Sequence, residues 1–123
     1  MKRQQLESRL IDFAVIGCKV AEALPRTRVG NQAAKQLIRC STSPAPNYAE
    51  AQAAESRNDF IHKMKVCLKE LRETSVWLRF VERMGLGDQN QLRPSMHECN
   101  ELISIFVKSV QTARANSSKI ENP

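Results

Sequence analysis

The sequence predicts an all-α protein, an antiparallel up-down-up-down four-helix bundle. Three observations predict it. Four segments repeat apolar residues at heptad spacing, the mark of helices with one buried stripe. The connections between them are short and punctuated by proline or glycine. Nothing reads as paired strands: there are only four glycines in 123 residues, and no Asn-Gly or Asp-Gly separates two alternating runs. A chain of this length buries one core, so a single domain is expected over residues 1–115, followed by a frayed tail over 116–123.

The first helix is expected from about Gln4 to Ala23. Leu6, Phe13 and Val20 recur every seven residues, as do Leu10, Gly17 and Leu24. Ile11, Val15 and Ile16 are expected to widen that stripe. Leu24-Pro25 ends it, because a residue before proline is pushed out of the α region. Thr27 is placed to cap the next helix.

The second helix, from about Arg28 into the low fifties, contains Pro44 and Pro46. A proline in a helix interior removes a donor and clashes with the turn before it, at about 3 kcal/mol. The helix either kinks near Ser43 or breaks there. A kink is favoured, because Tyr48–Ala54 resumes helix-forming sequence and a bundle needs helices of matched length. Its alanines leave little bulk, so neighbouring backbones can approach closely.

The third helix, from about Arg57 to Met84, has Ser56 or Asn58 at its start and the clearest pattern. Phe60, Cys67, Thr74 and Val81 hold one seam position; Met64, Leu71 and Leu78 hold the other. Val66, Trp77, Phe80 and Met84 lie outside that seam. Either they widen the core beneath the first helix, or they face a partner, since large exposed apolar patches mark interfaces. Self-association is the favoured alternative. Gly85 and Gly87 then end the helix and Asp88 caps the fourth. The fourth uses Leu92, Cys99, Phe106 and Ala113 with Met96, Ile103 and Val110, and Pro94 is expected in its first turn.

Composition excludes several functions. No apolar run approaches the roughly 20 residues that span a bilayer, and the charged N-terminal residues include no signal-peptide apolar block. The expected location is cytoplasmic, with no membrane partner. Cys18, Cys40, Cys67 and Cys99 form no CxxC pair, and His62 and His97 do not complete a zinc set, so these read as reduced structural thiols and no metal is expected. There is no phosphate loop and no HExxH, and no inward Glu-xx-His pair supplies a di-iron site. Ser41, Thr42 and Ser43 have no evident base beside them. The expectation is a protein that is not an enzyme and needs no cofactor.

The net charge of +6 is unevenly spread: residues 57–84 hold seven basic and four acidic side chains, residues 85–123 four of each. A basic stripe on the third helix is therefore expected. Around the proline pair, Arg39, Ser41, Ser43, Asn47 and Glu50 form an unusual polar set, and Glu70 and Glu73 on the next helix are candidate partners for Arg39. Such a set either fixes helix register or shapes a ligand or RNA surface.

At these residues the chain resembles the four-helix proteins encoded within intervening sequences of bacterial 23S ribosomal RNA genes, the S23 family. The matching residues are LPRT at 24–27, QLIRCSTSPAPNYAEA at 36–51 and ESRNDFIHKMKVCLKELRETSVWL at 55–78. The departure is Pro44 and Pro46, where family members usually carry at most one proline. The resemblance implies a bundle that assembles as a homo-oligomeric ring, with five subunits the favoured count. It also implies kinship with the accessory variability proteins of diversity-generating retroelements, basic pentameric bundles that bind nucleic acid. The candidate nucleic-acid cations are Arg26, Arg28, Lys35, Lys63, Lys69, Arg72, Arg79 and Arg83, contacting RNA or DNA phosphates without reading bases. The candidate oligomer contact is Val66, Trp77, Phe80 and Met84. The alternative is a structural or protein-docking module with no nucleic-acid role.

Overall fold

The computed structural model describes the backbone of residues 1–121 and the side chains of residues 1–116. Within these the fold is helical, with α1 over Arg3–Glu22, α2 over Arg28–Thr42, α3 over Pro44–Gln52, α4 over Arg57–Arg83 and α5 over Gln89–Glu121. The helices α2 and α3 are two halves of one bent helix, so the architecture is a four-helix bundle. Helical backbone runs through Glu121, beyond the expected start of fraying near Ala115, and the side chains of that tail lie outside the described residues.

Ser43 sits between α2 and α3 with helical dihedrals, φ −73° and ψ −38°, so the chain bends without unwinding. Pro44 is the first residue of α3, where its missing N–H costs least. Side-chain donors serve the carbonyls around the bend. Thr42 Oγ1 donates to the Ile38 carbonyl at 2.6 Å, Asn47 Nδ2 to the Ser43 carbonyl at 2.9 Å, and the Cys67 thiol on α4 to the Pro44 carbonyl at 3.5 Å.

The other boundaries follow local chemistry. Thr27 Oγ1 accepts from Gly30 N at 3.0 Å, and Ser56 Oγ accepts from Asp59 N at 3.0 Å. At the end of α4, Leu86 N donates to the Val81 carbonyl and Gly85 N to that of Glu82, with Gly85 at φ +70°. That is a Schellman termination, and the left-handed residue it needs is glycine. Pro94 lies in the second turn of α5 instead of the first. It is exposed, so the carbonyl it leaves without a helical donor can be hydrated.

The core is the expected set on α1 and α4: Leu6, Leu10, Phe13, Gly17 and Val20 against Met64, Cys67, Leu71, Thr74, Leu78 and Val81. Two expectations are corrected. On α5 Leu102 is fully buried beside Leu92, Cys99 and Phe106, while the expected seam residues Met96 and Ile103 are only partly covered. A stripe at 3.6 residues per turn drifts off a strict heptad, and here the drift selects the neighbouring position. On α1, Ile11 and Val15 do not widen the core; they are 51% and 47% exposed. They line a shallow groove on the surface of α1 that Thr42 and Ala45 beside the bend and Gln91 on α5 also border. The α1 and α4 backbones lie diagonally across the bundle and make no close approach. Between them Tyr48 and Phe106 meet edge to face, with ring centres 5.8 Å apart.

An ion pair invisible in the sequence ties α1 to α5. Arg9 donates from Nε and Nη2 to the two carboxylate oxygens of Glu98, each at 2.7 Å, a bidentate clamp that fixes register between the first and last helices.

Candidate functional site

The outward face of α4 is built by helical geometry. With Met64, Leu71 and Leu78 buried, residues about half a turn away are driven to solvent. Val76, Phe80 and Met84, spaced four apart, form an apolar stripe at 54%, 38% and 48% exposure. Val76 was not among the expected interface residues, although it completes that spacing. Trp77 is half-buried and packs against the core, with its ring edge-on to Phe80 at 5.4 Å. Val66 is likewise half-buried. Trp77 therefore extends the core, while Phe80 and Met84 face solvent.

Cations flank the stripe. Lys65, Lys69, Arg72, Arg79 and Arg83 are all exposed. Among the described residues none of them pairs with a carboxylate. Lys65, Lys69 and Arg72 border a shallow groove between α2 and α4 whose floor includes Leu68, Val76 and Trp77. Arg79 and Arg83 border a second depression over Val76, Phe80 and Met84. Lys65 escaped the sequence reading. Its spacing from Lys69 and Arg72, four and then three residues, is the signal that places all three on one face.

The other candidate cations divide. Lys63 turns from that face and pairs with Glu50 across the α3–α4 corner at 3.3 Å. Arg26 and Arg28 are exposed at the α1–α2 connection. They share the bundle end with Arg83, because that connection meets the α4–α5 turn, where a Cβ on Gly87 would lie 3.4 Å from Leu24. Lys35 is exposed on α2.

The polar set resolves into separate pieces. Arg39 donates to Glu70 at 3.2 Å, to Glu73, and to Gln36 Oε1 at 3.0 Å, forming one wall of the α2–α4 groove. The Glu73 hydrogen bond raises the already high pKa of that guanidinium. Asn47 bonds Ser43 within the bend, and Glu50 belongs with Lys63. Ser41 stands apart, buried against α1 with no partner for its hydroxyl.

The four thiols are free and lie in or beside the core. Cys40, Cys67 and Cys99 are fully buried and Cys18 half-buried. The Cys99 thiol donates to the Leu71 carbonyl at 3.2 Å, linking α5 to α4. Burial pushes the Cys67 and Cys99 thiols up to about 12 and raises that of Cys40. Both Cys67 and Cys99 thus hold protons more tightly folded than unfolded. Their stabilising share is complete below the ordinary value of 9.0 and is lost as pH climbs toward about 12. Denaturation midpoints should fall across that window. A thiol reagent at neutral pH should modify Cys18 first, with the other three protected until unfolding; equal labelling of all four would contradict this burial. Among the described residues no three His, Cys, Asp or Glu side chains cluster as a metal site requires. No described helix is long and apolar enough to cross a membrane.

Comparison with known proteins agrees with this architecture. A solved structure from Bacteroides thetaiotaomicron, titled a protein with unknown function from the S23 ribosomal protein family, superposes with a TM-score of 0.81. The two share 28% identity over 90% of this chain and 99% of that one. No curated protein matches the chain. The family model described as 23S rRNA-intervening sequence protein matches residues 4–108, nearly the whole of the bundle, and the chain belongs to that family.

Proposed function

We propose that this is a cytoplasmic, non-enzymatic, homo-oligomeric bundle that binds structured RNA through its basic surface. The observation that carries the reading is the outer face of α4, where five cations without carboxylate partners flank an apolar stripe that the chain itself leaves uncovered. Apolar area of this kind favours a partner subunit, and repeated copies would multiply the cations into one continuous surface. Contacts of Lys and Arg with phosphates give affinity without sequence reading, in keeping with a face that offers no ladder of base-stacking rings. The ring of five implied by the resemblance is part of this proposal, as is binding of DNA through the same phosphate chemistry. A second reading, a protein-docking module, is favoured by the groove between α2 and α4, whose apolar floor suits a helix from another protein.

Titration with ribosomal RNA fragments over a salt series separates the two. Four phosphate contacts predict a loss of affinity of roughly a hundredfold between 50 and 200 mM salt. Absence of binding at the low-salt end would leave the docking module as the better account.

A further inference from the structure

The face of α4 has a counterpart on the opposite side of the same molecule. Ile11 and Val15 on α1 are exposed with Cys18 beside them, forming the apolar part of a shallow groove that Lys19, Glu22, Thr42 and Gln91 also border. The charges around it are the reverse of those on α4. Glu7, Asp12 and Glu22 flank it, and among the described residues none is in an ion pair. Of the cations on that stretch, Arg9 is already clamped to Glu98, leaving Lys19.

These two faces cannot meet within one chain, because α1 and α4 are diagonal helices whose outer sides point in different directions. Between copies there are three pairings. Face α4 on face α4 sets arginines against arginines; α1 on α1 sets carboxylates against carboxylates. Like charges brought together disfavour both. Only α1 on α4 covers apolar surface with apolar surface while opposing acid to base.

We propose that the Val76, Phe80 and Met84 stripe of α4, with Arg79 and Arg83 at its edge, is covered by the outer face of α1 from a second copy in a head-to-tail contact, which leaves Lys65, Lys69 and Arg72 at the α2–α4 groove for phosphates. This deepens the self-association part of the reading above and rests on it. Each copy keeps one unused face of each kind, so the contact repeats from copy to copy and ends only when a ring closes.

The test uses the full chain and two exposed double variants, Ile11→Asp with Val15→Asp, and Phe80→Asp with Met84→Asp. Circular dichroism confirms that each retains its helices, and light scattering gives the mass. Wild type should be oligomeric and each variant alone monomeric. Mixed in equal amounts, the variants should form a species of twice the 13.9 kDa chain mass, since one intact α1 face and one intact α4 face remain between them. An oligomeric wild type whose α1 variant still assembles, or variants that do not combine, overturns the head-to-tail contact while self-association stands. A monomeric wild type overturns both.

Discussion

Substitution of Gly17 by valine is expected to cost about 3 kcal/mol and lower the melting temperature by roughly 10 °C. A Cβ at position 17 would lie 2.4 Å from Ser41 Oγ and 2.5 Å from Ser41 Cβ. The hydroxyl can rotate away, but the Cβ cannot, so α1 and α2 must separate. Alanine meets the same obstacle with less bulk. Overpacking of about 1–3 kcal/mol outweighs the roughly 1 kcal/mol that alanine gains over glycine in a helix. Combining Gly17→Ala with Ser41→Gly reopens the space, and the pair should be less destabilising than the two changes summed. Urea denaturation of the four proteins measures this coupling. Simple additivity would mean that the two helices are not held at this contact. Ser41→Ala should be close to neutral, because it removes a buried hydroxyl that has no hydrogen-bond partner.

Under the RNA-binding reading, Lys69→Ala with Arg72→Ala should weaken binding about tenfold or more at low salt and flatten the salt slope by roughly 1.5. Lys63→Ala should change affinity little, although it removes the same charge from the same helix. Lys63 is held by Glu50, whereas Lys69 and Arg72 stand free at the groove edge. Fluorescence anisotropy with one RNA fragment at three salt concentrations reads both effects. Equal losses from Lys63→Ala and from the double variant would show that affinity follows net charge and not this face. All three side chains lie outside the core, so folding should be unaffected.

Much of this architecture was legible because helices announce themselves locally. Thr27 and Ser56 mark helix starts, Gly85 marks an end, and the seams Leu6–Phe13–Val20 and Met64–Leu71–Leu78 need only spacing to be found. Arg39 could be matched with Glu70 and Glu73 because adjacent bundle helices bring such residues level. Other features depend on how one helix is rotated against another. Ile11 and Val15 read as core because they adjoin a true core stripe, yet α1 packs on α2 and α5 in an orientation that leaves them outside. Arg9 and Glu98, 89 residues apart, leave no local trace of their clamp.

The sequence by itself determined the all-helical class, the helix ends, most of the buried seams and the concentration of positive charge on the third amphipathic segment. Each of these arises from the order of residues along one helix. Tertiary structure alone decided which cations stay free, that Gly17 must admit Ser41, and that an acidic-edged apolar strip and a basic-edged one occupy diagonal helices. Those outcomes depend on packing angles and rotations between helices, which side-chain volume and close contact select and which no single stretch of sequence encodes.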